Sequence, residues 1–169
     1  MISRPFWLER IESCWRKAPI VWLSGVRRVG KTTLAQTLEN AEFLNCDLPS
    51  SQQLLADPEA FYHSLTKTRL ILDEVHQLPD PSRLLKIGAD AFPKLKIVAT
   101  GSSTLAATQK FRDSLAGRKR NLHLVPVRFG ELPAFGIRDL RQRLFRGGLP
   151  PALLAVDYDP GFYSEWLDS

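Results

Sequence analysis

Eight residues near the start of the chain, Gly25-Val26-Arg27-Arg28-Val29-Gly30-Lys31-Thr32, match the GxxxxGKS/T pattern of a phosphate-binding loop. Each residue type has a physical reason for its place. Glycines let backbone amides approach a polyanion closely, and amides at the start of a helix aim donors and a favourable dipole at it. Lys31 is placed to reach the β- and γ-phosphates of a nucleotide, and Thr32 to put its hydroxyl on Mg²⁺. Gly25, Val26, Arg27, Arg28, Val29, Gly30, Lys31, Thr32 and Thr33 are therefore the expected nucleotide-contacting set.

A second group follows forty residues later, where the apolar run Leu70-Ile71-Leu72 ends in Asp73-Glu74. A carboxylate delivered to the C-terminal edge of a parallel sheet falls beside a phosphate loop, because open α/β sheets bind ligands outside the carboxyl ends of their strands. Asp73 is expected to hold Mg²⁺, directly or through water, and Glu74 to orient or deprotonate an attacking water. The bland alternative for the pair is a surface or helix-capping role. A third group closes the run Ile97-Val98-Ala99 with Thr100-Gly101-Ser102-Ser103. Ser102 is the favoured hydroxyl for touching a γ-phosphate or the water, with Thr100 and Ser103 as alternates and helix capping as the competing role. In Leu115-Ala116-Gly117-Arg118, the arginine can serve a neighbouring subunit's nucleotide as a finger or answer the dipole of its own helix.

The elements that must position these residues are legible in the periodicity. Short β-type runs at Ile20 to Ser24, Glu42 to Cys46, Arg69 to Leu72, Lys96 to Thr100 and Asn121 to Val125 alternate with amphipathic stretches. The helical stretches are Phe6 to Lys17, Lys31 to Asn40, Ser51 to Thr66, Pro81 to Ala91 and Ser103 to Ala116. Strand–helix alternation predicts an α/β fold, a parallel five-stranded sheet with helices on both faces. After Val125, five prolines break the chain and leave room for short helical pieces such as Ile137 to Phe145. The expected division is a core over 1–125 and a proline-rich helical tail over 126–169.

With 169 residues, 44% hydrophobic and 24% charged, the chain is long enough for a core of its own and is neither disordered nor fibrous in composition. Cys14 and Cys46 have no paired-ligand spacing, and neither do His63, His76 and His123, so no disulfide framework or zinc site is expected. No apolar run approaches the roughly 18 residues that cross a bilayer, and residues 1–10 lack a signal-peptide core, so a cytoplasmic location is expected. Between Lys110 and Arg146 ten basic residues face three acidic ones, an excess of seven that leaves the rest of the chain at −2. Such clustering suits a polyanion, though a solvated face is the commoner outcome and nucleic acid is not favoured.

Taken in order, these stretches resemble the AAA-type P-loop ATPases of bacteria and archaea, in particular the prokaryotic group whose ATPase module precedes an uncharacterised C-terminal domain. The matching segments are the phosphate loop through Leu34, Phe43-Leu44-Asn45-Cys46-Asp47, Leu72-Asp73-Glu74-Val75-His76-Gln77-Leu78-Pro79, Thr100-Gly101-Ser102-Ser103, Leu115-Ala116-Gly117-Arg118 and Gly147-Gly148-Leu149-Pro150. The resemblance implies ATP rather than GTP as the nucleotide and draws attention to Asp47, for which it supplies no mechanism. In that group the chain continues past the equivalent of Trp166-Leu167-Asp168, so a truncated form lacking the C-terminal region is expected. The expected activity is Mg²⁺-dependent ATP binding and hydrolysis coupled to a protein partner or attached domain, with a homo-oligomer if Arg118 acts in trans. Alternatives are a nucleotide-dependent interaction switch with little turnover, a small-molecule kinase, and a nucleic-acid-stimulated ATPase suggested by the DExH spelling of Asp73-Glu74-Val75-His76.

Overall fold

The phosphate loop and the Asp73-Glu74 pair can meet only if their strands run the same way and end at the same edge. In the computed structural model, which describes residues 2–101 and 109–168, they do. Strands β1 (Ile20–Ser24), β2 (Ala41–Asn45), β3 (Arg69–Asp73), β4 (Lys96–Thr100) and β5 (Lys119–His123) form one parallel sheet in the order β2-β3-β4-β1-β5. Strand β4 therefore lies between the strand that feeds the phosphate loop and the strand that ends in the acids. Ile97 pairs with both Ile20 and Leu70, which sets all three tips in register.

The sheet is buried on both faces, and the strand period of two sorts its side chains between them. Ile20, Trp22, Leu70, Leu72, Ile97 and Ala99 face one core with Phe61, Tyr62, Leu84, Leu85 and Phe111. These come from α4 (Pro58–Ser64), α5 (Pro81–Ala91) and α6 (Gln109–Ser114). Val21, Leu23, Ile71, Val98 and Leu122 face the other core with Trp7, Ile11 and Trp15 of α1 (Pro5–Trp15) and Leu34 and Ala35 of α2 (Lys31–Gln36). The predicted α/β architecture is thus observed.

Local boundaries differ from the periodicity at several elements, and three of these differences bear on the layout of the sheet. The stretch 51–66 is two helices, α3 (Pro49–Leu54) and α4, because Pro58 has no N–H to continue the first. Asp57 caps the second, accepting from the Ala60 amide at 3.1 Å. Helix α2 stops at Gln36, and the chain reverses through Asn40 in the left-handed region at φ 53°. Strand β5 begins two residues earlier than its apolar pattern suggests, since at this sheet edge Lys119 and Arg120 pair with Ile20 and Val21 while much of the strand stays open to water.

The tail contains a 3₁₀ segment (Phe129–Phe135), α7 (Leu140–Arg146), α8 (Pro150–Leu154) and α9 (Phe162–Leu167). Val127, Leu132, Phe135, Ile137 and Leu153 bury one another with Ile2 packed against them, while Leu149 joins the α1 side of the sheet core. Arg4, buried just before α1, makes a two-pronged contact with Glu131, Nε to Oε1 at 2.7 Å and a terminal nitrogen to Oε2 at 3.0 Å. Among the described residues no helix is long and apolar enough to cross a membrane.

Candidate functional site

The phosphate loop is shaped by three residues at positive φ and one apolar anchor. Gly25 sits at φ 151° with its backbone against β5, so that a Cβ there would stand 2.5 Å from the Leu124 carbonyl oxygen. Arg28 and Gly30 adopt φ 63° and 94°, and Gly30 turns the chain directly into α2. Val29 is fully buried between them and holds the loop to the core. Lys31 lies across the loop, its ammonium donating to the carbonyls of Gly25 at 3.0 Å and Val26 at 3.3 Å.

The acids arrive as their strand predicts, and a chain of hydrogen bonds links them to the loop. The Thr32 hydroxyl donates to Asp73 Oδ2 at 2.7 Å. The Thr100 hydroxyl, at the tip of β4, donates to Asp73 Oδ1 at 2.6 Å and accepts from the Glu74 amide at 3.0 Å. Asp73 is 4% exposed and Thr100 is fully buried, so burial of the carboxylate is offset by two charge-assisted bonds. The donor set here is hydroxyl and carboxylate oxygen, which fits Mg²⁺: that ion takes one or two protein oxygens and fills its remaining positions with water and phosphate.

Glu74 follows Asp73 in a left-handed conformation, φ 57° and ψ 45°, a geometry that costs a non-glycine residue about 1–2 kcal/mol. The turn is forced by Val75, which is fully buried and starts a 3₁₀ segment (Val75–Gln77) under the sheet edge. Glu74 Oε2 lies 3.2 Å from Nδ1 of His76. Beside the loop, Ile2, Val29, Gly30, Leu34, Phe135, Pro150, Pro151 and Leu154 line a mainly apolar cavity of about 360 Å³ in which Arg4 and Thr33 are the polar walls. The tail also reaches the loop: the Trp166 indole donates to the Arg27 carbonyl at 3.0 Å, and the Arg28 guanidinium lies over the Phe162 ring at 5.5 Å.

Lys31, Thr32, Asp73 and Glu74 are therefore gathered at one edge, with Thr100 among them. Ser102 and Ser103 lie outside the described residues. Arg118 stands at the opposite edge of the sheet, where its carbonyl accepts from the Ile20 amide and its guanidinium makes two bonds to Asp90, at 2.6 and 3.0 Å. It does not reach its own loop, and in the described structure it serves as the partner of Asp90. Asp47 is exposed and donates its amide to the Asn45 side chain at 3.0 Å, which makes it part of a local turn. Sequence reasoning missed Arg4, Glu131 and Trp166, all of which touch or brace the loop. The Arg4–Glu131 and Trp166–Arg27 contacts join residues 127 and 139 positions apart, so no local signal marked them.

A family model described as an AAA domain matches residues 17–133, a span containing the loop, the acids and Arg118. The chain belongs to the AAA domain family. Two uncharacterised proteins, from Mycobacterium bovis and Mycobacterium tuberculosis, are each 29% identical to this AAA domain protein over 164 residues. The match covers 92% of this chain and 35% of each relative, so the chain spans about a third of the length of the curated relatives it matches. The crystal structure of a DNA replication initiation factor superposes with a TM-score of 0.51 at 13% identity, covering 97% of this chain and 58% of that one. That likeness shows the fold alone, a parallel five-stranded sheet with helices on both faces.

Proposed function

We infer that this AAA domain binds ATP with Mg²⁺, hydrolyses it, and couples its nucleotide state to a protein partner or an attached domain. The observation that carries this is Asp73, buried between the Thr32 and Thr100 hydroxyls and so tied to both the phosphate loop and the tip of β4. Lys31 and the loop amides would bind the phosphates, and the apolar cavity beside Gly30 would take the adenine. Thr32 and Asp73 would hold Mg²⁺, which when bound neutralises charge on the β- and γ-phosphate oxygens. Glu74 would orient a water and accept its proton as the water oxygen bonds to the γ-phosphorus and ADP leaves. The contacts of Trp166 and Phe162 with the loop offer a mechanical route from nucleotide to tail. Arg118, facing away from its own site, would complete the site of a neighbouring copy.

The test is calorimetric titration of Mg-ATP and Mg-GTP into wild type and Lys31→Ala, with phosphate release measured on wild type and Glu74→Gln. Lys31→Ala should weaken Mg-ATP binding about 10- to 100-fold, the worth of one charged hydrogen-bonding group. Glu74→Gln should bind normally and lose turnover. Unchanged affinity in Lys31→Ala refutes the nucleotide site. Phosphate release without an acceptor excludes a kinase, binding without turnover identifies an interaction switch, and a rise on adding DNA or RNA identifies a nucleic-acid-stimulated ATPase.

A further inference from the structure

The Asp73-Glu74 turn contains a side chain that the nucleotide site has not absorbed. We propose that His76 is a positioning residue for Glu74, its Nδ1–H bonded to Oε2 so that the remaining carboxylate oxygen is aimed at the attacking water. This rests on the hydrolysis reading above and adds the group that holds the water-orienting carboxylate in place.

Four observations bear on it. The Nδ1–Oε2 separation is 3.2 Å. The other ring nitrogen, Nε2, lies 3.5 Å from the side-chain nitrogen of Gln77, a donor, an arrangement compatible with the tautomer that carries its proton on Nδ1, facing Glu74. The backbone that carries the ring is fixed, since the Gln77 amide donates to the Glu74 carbonyl at 3.0 Å and the turn is pinned by Val75, fully buried, and Leu78 at 8% exposure. The backbone of Glu74 is fixed as well, its amide held by Thr100 and its φ left-handed. A side chain held at both ends loses the rotamer freedom that a half-exposed glutamate otherwise keeps.

Gly101 supplies the space. A Cβ there would stand 2.8 Å from the Trp22 ring and 3.5 Å from His76 Nδ1, so the exit of β4 passes the imidazole with no room for a side chain on that side. A histidine suits the task because its Nδ1–H is present in this neutral tautomer and in the cation alike, so the bond survives protonation of the ring.

The test compares His76→Phe, His76→Ala and His76→Asn with Glu74→Gln and the Glu74→Gln/His76→Phe double variant. His76→Phe keeps a ring and removes the donor. With it, kcat should fall about 10- to 100-fold, the effect of a misplaced reacting group, while KM and Mg-ATP affinity stay at the wild-type values. His76→Ala should match it, and His76→Asn, whose amide can stand where Nδ1–H stood, should recover most of the rate. On the Glu74→Gln background the loss of His76 should subtract nothing more. Wild-type kcat in His76→Phe overturns the proposal, as does a loss that multiplies with that of Glu74→Gln or that asparagine leaves unrepaired. A readout independent of turnover is the imidazole ¹⁵N spectrum near pH 8, where an ordinary histidine is neutral. Protonated Nδ1 on His76 is the expected result, and protonated Nε2 overturns the proposal. Normal turnover in Glu74→Gln would instead overturn the hydrolysis role of Glu74 itself, and is thereby distinguished from failure at His76 alone.

Discussion

Replacing Glu131 by glutamine removes one charge from the contact that fastens the N-terminal segment and the tail to the phosphate loop. The side chains of Arg4 and Glu131 are 5% and 10% exposed, and their guanidinium–carboxylate pair is two-pronged. Arg4 also donates to the Val125 carbonyl at 3.2 Å and the Val29 carbonyl at 3.4 Å, while Glu131 accepts from the Arg128 amide and the Trp7 indole. Breaking a buried ion pair costs about 3–5 kcal/mol because the surviving charge stays desolvated. Glutamine keeps one acceptor oxygen, which places Glu131→Gln near the lower figure, about 3 kcal/mol, or roughly 6–12 °C in Tm for a chain of this size. Burial pushes the Glu131 carboxyl up, but the Arg4 hydrogen bond, the Arg128 amide, the Arg4 charge and the Trp7 indole together hold it below the ordinary glutamate value. A depressed carboxylate contributes stability that is present above its unfolded pKa and lost as pH falls through the folded one. The assay is urea and thermal unfolding of both proteins from pH 7 downward. The gap should be full at neutral pH and close below about pH 4. A gap under about 1 kcal/mol at pH 7, the scale of an exposed pair, or one that stays constant into acid, would refute the reasoning.

Cys46 is buried, and desolvation, followed by the charges of Asp73, Asp47 and Glu74, pushes its thiol up to about 12, so a thiol reagent near neutral pH should label Cys14 in the folded protein and reach Cys46 only on unfolding. Gly88→Ala should destabilise α5, because a Cβ there would stand 2.6 Å from the Tyr62 hydroxyl and 2.9 Å from Ile97. Roughly 3 kcal/mol of overpacking exceeds the roughly 1 kcal/mol of helix propensity gained, for a net loss of about 2 kcal/mol in denaturant melts. Arg118→Ala should leave the melting curve unchanged, its ion pair with Asp90 being exposed, yet abolish any rise of specific ATPase activity with protein concentration. A wild type whose specific activity is flat with concentration removes the trans role.

The inner strands of the sheet were legible because they are nearly pure hydrophobic runs: Ile20–Ser24 and Lys96–Thr100 match their sequence patterns residue for residue. Strand β5 was less so. There the apolar signal of Leu122, Leu124 and Val125 outweighed Lys119 and Arg120, although an edge strand can carry charge wherever one face meets water. At the candidate site, the loop and the acid pair announce themselves by spacing, because phosphate and magnesium chemistry restricts the residue types. Thr100 was visible only as an alternate to Ser102, since a hydroxyl after a strand has several ordinary uses and its two bonds exist only once β3 and β4 pair. The Arg4–Glu131 pair is separated by 127 positions and depends on the folded tail, which no local pattern encodes.

The placement of Arg118 has a consequence for symmetry. Within each copy the phosphate loop follows the last residue of β1 and the arginine precedes the first residue of β5, so donor and acceptor are separated by the full length of the strands, about 16 Å. If one copy's arginine enters another's site, the symmetry of the contact decides how many sites are completed. A two-fold dimer would serve both sites at once only through a single self-complementary patch that spans that distance, arginine to loop and loop to arginine. A heterologous contact would instead repeat head to tail until it closes as a ring or runs on as a filament, and the last subunit of an open arc would carry a site without its finger.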